Sequence, residues 1–307
     1  MIDKDIIFIS FVLMKTKNQG IEKLIELALN EDLGKGDVTS KVLISENLRG
    51  KGVILAKEDG VLAGVEIARL VFKKIDPEIG FKSLIKDGEK IRNESKVAQI
   101  EGKVKSILAG ERTALNFLQR LSGVATLTSK FVKEVKGTKT KILDTRKTTP
   151  GFRALEKYAV KLGGGKNHRM GLYDRILIKD NHIRASGGIS SAIRKVKESL
   201  KNGTFVSRFT LKNLKVEVET KNTKEVKEAI QSEADWIMLD NMSLSQIREG
   251  VRMIRSNKRK IRIEVSGKIT LDKVRNIARL GVDFISVGAL THSAKALDLS
   301  LELTKIK

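Results

Sequence analysis

Between Asp144 and His182 the chain concentrates Arg146, Lys147, His168, Arg169 and Lys179 around a triple glycine, Gly163 to Gly165. The stretch reads D-T-R-K-T-T-P-G from Asp144, G-G-G-K-N-H-R from Gly163 and I-L-I-K-D-N-H from Ile176. Arginine's planar fork matches carboxylate and phosphate oxygens, and lysine adds compact positive charge, so this composition is that of an anion-binding site. Farther on come Glu217, Glu219, Asp240 and Glu264, each near the end of a short apolar run. Hard carboxylate oxygens suit Mg²⁺, which is commonly held by one or two carboxylates together with substrate phosphates. Ser266-Gly267 and Ser286-Val287-Gly288-Ala289 each follow a strand-like run and precede a helical one, where backbone N–H groups can cradle phosphate. The residues therefore suit a substrate with several carboxylates, a phosphorylated co-substrate and a magnesium ion.

Such residues need a frame, and the hydrophobic rhythm supplies one. Strand-like runs at Lys141–Thr145, Ile176–Lys179, Val216–Thr220, Trp236–Asp240, Arg262–Ser266 and Phe284–Gly288 alternate with helix patterns at Pro150–Leu162, Ser190–Leu200, Thr223–Gln231, Ser245–Ile254 and Leu271–Arg279. That alternation predicts a parallel β/α architecture, a barrel rather than an open sheet, with its site at the C-terminal ends of the strands. Those ends deliver Asp144, Arg146 and Lys147, then Lys179 and Asp180, Glu217 and Glu219, Asp240, Glu264 and Ser266, and lastly Gly288. Ahead of them, Gly20–Asn30 reads as a short helix and E-D-L-G-K-G-D-V-T-S as a glycine-punctuated loop. Arg49–Glu101 reads as a compact α+β unit with a turn at Lys86–Glu89. Glu111–Val135 reads as a helix interrupted near Ser122-Gly123, with Arg112 and Arg120 flanking a stripe of Leu115, Leu118 and Leu121.

The chain has 307 residues, 40% hydrophobic and 32% charged, a globular composition. It has no cysteine, which excludes disulfides and thiolate metal sites. The net charge of +23 would attract nucleic acid, but the lysines are scattered and only 4% of residues are aromatic, poor material for stacking bases. Three histidines fall in loops without H-x-x-x-H spacing, and no serine sits in a G-x-S-x-G elbow, so neither a zinc site nor a nucleophilic triad is expected. There is no G-x-G-x-x-G after a strand, which argues against a dinucleotide fold. The apolar run Ile6–Met14 is too short to span a bilayer. It reads as an extra strand or an upstream extension with Met14 as the original start, and a soluble, cytoplasmic protein is expected.

The motifs as a set resemble the quinolinate phosphoribosyltransferase family, also called nicotinate-nucleotide pyrophosphorylase (carboxylating). Besides those quoted, the resemblance rests on E-R-T-A-L-N-F-L-Q-R-L-S-G-V-A-T, G-G-G-K-N-H-R-M-G-L-Y-D, V-E-V-E, L-D-N-M-S, E-V-S-G and G-V-D-F-I-S-V-G-A-L-T-H-S, in order over roughly residues 15 to 305. It implies an α/β fold: an open-faced β/α barrel of the type II phosphoribosyltransferase kind over 121–290, a smaller N-terminal α/β domain over 1–120 (1–14 an extension), and a C-terminal helix over 291–307 packing back on that domain. It implies transfer of phosphoribosyl from phosphoribosyl pyrophosphate to quinolinate, with release of CO₂ and pyrophosphate, and a requirement for Mg²⁺. By motif match Thr145, Arg146, His168, Arg169 and Lys179 fall on the quinolinate pocket. Lys147, Glu219 and Asp240 fall on the phosphoribosyl pyrophosphate and Mg²⁺ positions, and Ser266, Gly267 and Gly288 on the phosphate loops. Arg112 matches an arginine donated by a neighbouring subunit, which implies a homo-oligomer, a dimer or a hexamer of dimers, with shared sites. Where the family usually reads S-G-G-I this chain has Lys268 in place of a glycine, a change that bears on phosphate affinity. A related protein of molybdenum-transport operons usually lacks the I-K-D-N-H run, so Lys179 favours quinolinate.

Overall fold

The computed structural model describes residues 18–202 and 215–306, and the apolar run at Ile6–Met14 lies outside them. Its strands are β1 (Arg49–Ala56), β2 (Gly60–Val61), β3 (Gly80–Ser83), β4 (Lys90–Ile91), β5 (Lys96–Lys103), β6 (Lys141–Leu143), β7 (Ile176–Ile178), β8 (Val216–Thr220), β9 (Trp236–Asp240), β10 (Arg262–Ser266), β11 (Phe284–Ser286) and β12 (Leu299–Ile306). The chain falls into two compact units. One gathers the residues up to Ser129, Thr149–Gly164 and those from Ser293; the other holds Lys130–Thr148 and Gly165–His292.

In the first unit the sheet runs in the order β12-β1-β5-β3, with antiparallel pairing throughout. Its helix Val65–Ile75 buries Val65, Ile67, Ala68, Val71 and Phe72, the spacing of one helical face. Asp87 caps that helix from a distant turn, accepting the N–H groups of Gly64 and Val65 at 3.0 Å each. Three expectations change here. The glycine-punctuated segment is not all loop. The helix Asn18–Leu33 runs through Glu31 and Asp32, Gly34 and Gly36 turn the chain at φ 49° and 114°, and Asp37 caps a second helix, Val38–Leu43. The helix Val104–Glu134 continues without a break through Ser122-Gly123. Gly123 is a close-approach residue rather than a breaker, because a Cβ there would overlap the Lys295 carbonyl, and Ser122 Oγ accepts the Ala63 N–H at 3.0 Å. Finally, the helix expected over 291–307 is absent. The short turn Ala289–His292 is followed by β12, which pairs antiparallel with β1. Leu299, Leu301 and Leu303 alternate with Ser300, Glu302 and Thr304, a period of two that fits a strand.

The second unit is a six-stranded sheet in the order β6-β11-β10-β9-β8-β7, and every neighbouring pair is parallel. The first two strands of this unit, β6 and β7, lie at opposite edges and do not pair with each other, so the barrel is open-faced. Crossover helices Ile189–Lys201, Thr223–Gln231, Leu244–Arg255 and Leu271–Ala278 cover one face. Strands β8, β9 and β10 keep the bounds their sequence predicts. β6, β7 and β11 are shorter, because Asp144-Thr145, Lys179 and Val287-Gly288 leave the ladder to form the rim loops. A helix not expected from the sequence, Asp180–Ser186, follows β7 directly, and His182 Nδ1 accepts the Lys179 N–H at 3.0 Å.

Candidate active site at the strand ends of the open barrel

Register decides which side chains share the inner face. Leu239 packs beneath Gly250 of the covering helix Leu244–Arg255, so its neighbours Met238 and Asp240 face the other way, inward. Glu219 pairs with Met238, Glu217 with Trp236, Glu264 with Met238 and Phe284, and Ser266 with Asp240. Leu177 pairs with Glu217, which carries Lys179 to the same face. The inner face thus holds two levels of charge. Glu217 and Glu264 are fully buried, whereas Lys179, Glu219, Asp240 and Ser266 stand at the C-terminal rim.

At the rim, Lys179 Nζ lies 3.2 Å from Glu219 Oε2. Burial is the main cause that raises the Glu219 carboxyl above its ordinary range. Lys179 pulls the other way, and the neighbouring charge of Asp240 adds to the rise. Asp240 Oδ2 accepts Asn241 Nδ2 at 2.6 Å, and Asn241 N–H reaches the Ser266 carbonyl at 3.0 Å. Asn241 at φ 52° packs on Gly267 at φ 95°, where a side chain would collide with it. Lys268 takes a left-handed φ of 46° directly after it, a conformation costly for a residue with a Cβ. Gly288 is hemmed in by Lys147 and His292: a Cβ would meet Lys147 Cδ at 3.1 Å and His292 Nε2 at 3.2 Å. Glu219 and Asp240, two close carboxylates on adjacent strand ends, fit a hard divalent cation that also holds phosphate oxygens.

The cationic group sits on the loops after β6. Thr145 Oγ1 accepts the Lys147 N–H at 3.1 Å, and Thr148 N–H reaches the Arg146 carbonyl at 3.0 Å, which makes a tight turn. Lys166 bridges to Leu143, and Asp144 Oδ1 accepts the His168 N–H at 2.8 Å. Arg169 is buried. Burial, and then the like charge of Arg146, push its guanidinium below the ordinary range. A buried arginine with the like charge of a second one beside it is a receptor for anionic groups.

Below the rim lies a cluster whose arrangement the sequence does not reveal. His168 Nδ1 accepts the Arg169 N–H at 2.7 Å, so the neutral ring carries its proton on Nε2, which lies 3.3 Å from Glu217 Oε2 and 3.5 Å from Glu264 Oε2. Both glutamates are fully buried. Ser286 Oγ donates to Glu264 Oε1. Arg175 Nη1 lies 3.5 Å from Glu217 Oε2, and its guanidinium stacks 4.4 Å from the Trp236 ring, which in turn stacks on Phe284. Burial opposes a charge on His168, but the two carboxylates outweigh it and raise the imidazole to about 9. Burial, with Glu264 alongside, raises Glu217 to about 7. The cluster therefore binds protons more tightly than the same groups do in water. The His168, Glu217 and Glu264 ligand atoms lie within 4.8 Å of one another, a spacing open to a metal. Here the His168 ring and Arg175 already face the two carboxylates.

The structure brings Thr145, Arg146, Lys147, His168, Arg169, Lys179, Glu219, Asp240, Ser266, Gly267 and Gly288 into one unit. Arg112 lies in the other unit, exposed on the long helix, and makes no hydrogen bond or ion pair with a described residue. Arg175 and Trp236, distant in sequence, were not signalled beyond each standing at the start of a strand run. Asn241 was signalled only as the polar residue after a strand.

The chain matches two family models, "Quinolinate phosphoribosyl transferase, N-terminal domain" over residues 37–122 and "C-terminal domain" over 124–302. It is 42% identical over 299 residues to quinolinate phosphoribosyltransferase [decarboxylating] 1b of Nicotiana tabacum, covering 92% of this chain and 82% of that one. It is 41% identical over 285 residues to a probable nicotinate-nucleotide pyrophosphorylase [carboxylating] of Synechocystis, covering 93% of each. The solved nicotinate-nucleotide pyrophosphorylase of Francisella tularensis superposes with a TM-score of 0.85 at 42% identity, over 94% of this chain and 97% of that one. With the open barrel and its charged rim, these matches show that the chain belongs to the quinolinate phosphoribosyltransferase family.

Proposed function

We propose that this chain joins quinolinate to the ribose C1 of phosphoribosyl pyrophosphate, releasing pyrophosphate and CO₂ and giving nicotinate mononucleotide for NAD biosynthesis. The observation that carries the reading is the buried Arg169, with the like charge of Arg146 against it, beside a rim whose other members are Lys179, Glu219 and Asp240. The arginines suit the two carboxylates of quinolinate and orient its ring nitrogen toward C1. Lys147 and the turns at Ser266-Gly267 and Gly288 suit the phosphates. Glu219 and Asp240 would hold Mg²⁺, which supplies charge neutralisation for the leaving pyrophosphate. The negative field of Glu219 favours the oxocarbenium-like ribose. Nitrogen donates its lone pair to C1 as the C1–O bond breaks toward pyrophosphate. The ring nitrogen, now cationic, stabilises the electron pair left on the adjacent carbon when CO₂ departs, and a proton from water completes the product. The transfer itself needs no general acid or base.

A homo-oligomer with shared sites is part of this reading. It is supported by exposed apolar residues on the first two described helices, Leu27 at 67%, Val38 at 75%, Val42 at 81% and Leu43 at 72%, and by Arg112 standing exposed, with no hydrogen bond or ion pair to a described residue. Among the described residues no helix is long and apolar enough to cross a membrane, and the absence of cysteine suits the cytoplasm. The decisive assay follows nicotinate mononucleotide from quinolinate, phosphoribosyl pyrophosphate and Mg²⁺. No product with quinolinate, but product with another acceptor, overturns the substrate assignment. For sharing, Arg112→Ala and Lys179→Ala proteins should complement when mixed; failure in a confirmed mixed dimer refutes it.

A further inference from the structure

We propose that Glu217 and Glu264 are positioning residues for the organic-acid half of the site, acting on Arg169 through the His168 ring. The inference rests on reading that half as a quinolinate pocket. Both carboxylates are fully buried, so neither meets substrate. They arrive from different strands, β8 and β10, and converge on one atom, His168 Nε2, at 3.3 and 3.5 Å. The opposite nitrogen of the same ring holds the Arg169 N–H at 2.7 Å, and Asp144 holds the preceding amide of His168 at 2.8 Å. Two successive amides of the arginine-bearing loop are thus held, one by Asp144 directly and one by a ring whose opposite nitrogen faces both carboxylates. The carboxylates are themselves fixed, Glu264 by Ser286 Oγ and Glu217 by Arg175 lying against Trp236. The chain of contacts ends at Arg169 and touches neither Glu219 nor Asp240 at the rim. Loss of either carboxylate should therefore weaken the grip on the dicarboxylate and spare the phosphoribosyl donor.

The test uses Glu217→Gln and Glu264→Gln in the full chain, with folding checked by circular dichroism and thermal melting. KM for quinolinate should rise about tenfold, as is usual when an orienting partner is lost, while KM for phosphoribosyl pyrophosphate stays within about twofold. Unchanged KM for quinolinate in a folded variant, or parallel rises in both KM values, would overturn the proposal. Ring nitrogen NMR gives a second readout that does not depend on turnover. Recorded above about pH 9, where the ring is neutral, the resonances absent from His168→Gln should show a protonated Nε2 and bare Nδ1 in the parent, and should move toward mixed tautomers in both glutamine variants. If the parent fails to turn over quinolinate, the pocket assignment fails; unmoved ring resonances in the variants sink the positioning role regardless.

Discussion

Glu217 and Glu219 stand two residues apart on β8 and face the same way, yet they belong to different environments. The deeper one is fully enclosed beside His168, Glu264 and Arg175, while the outer one reaches the half-exposed Lys179. One strand step, about 7 Å along the barrel, separates a scaffold charge from a working charge. Buried charge must be neutralised locally, so the deep level is closed on itself. The rim keeps its carboxylates close together and incompletely compensated, the condition a cation and a phosphorylated substrate can relieve.

The sharpest way to break this contrast is at Lys179. Lys179→Ala should lower kcat about 100-fold or more while the melting temperature hardly moves, because an interaction with developing charge is lost and little packing is removed. Steady-state kinetics with near-normal kcat would remove Lys179 from the working level. Arg175→Met probes the deep level. It strips the guanidinium from buried Glu217 and should cost about 2 kcal/mol in urea unfolding, below the full penalty for a buried pair because Arg175 is partly exposed. Its kcat should stay within about threefold; a collapse in kcat with stability intact would merge the two levels.

A pH series sharpens the same point with a smaller effect. His168 and Glu217 both bind protons more tightly folded than unfolded, at about 9 and about 7. Their contribution to stability is present at low pH and is lost as the pH rises through those values. The melting temperature should fall by several degrees between roughly pH 6 and pH 9, at about 2–4 °C per kcal/mol, and the slope should flatten in Glu217→Gln. An unchanged slope would separate the titration from this cluster. The smallest effect belongs to Asp180, whose exposed pairing with Lys221 at 3.1 Å is screened by water. Asp180→Asn should leave the melting temperature unchanged, and a measurable drop would show that the rim bears structural load after all.

Much of the barrel was legible because its central strands carry their own boundaries. Val216–Thr220, Trp236–Asp240 and Arg262–Ser266 are short apolar runs ending in charge, and such runs between helical patterns have few other homes. The rim residues followed from those ends. Depth along a strand was not legible, since Glu217 and Glu219 differ only in which neighbours the other strands bring. Arg175 and Trp236 meet across the sheet with no local pattern to announce it. Gly123 shows the opposite failure. A glycine in a helix reads as a breaker, and only the approach of the Lys295 backbone explains it. The resemblance implies a helix over 291–307 against the segment's own alternation of leucines, and the strand Leu299–Ile306 follows the alternation.

The edge position of β12 has a consequence for how this chain is made. Its partner β1 is synthesised some 250 residues earlier, and the entire parallel barrel emerges between them. Until the ribosome has delivered residue 299 and those beyond it, β1 presents an open hydrogen-bonding edge that can pair with any passing strand. The small unit is begun first and finished last, so a nascent or truncated chain stopping before Leu299 should be the form most prone to aggregate, even with its barrel complete.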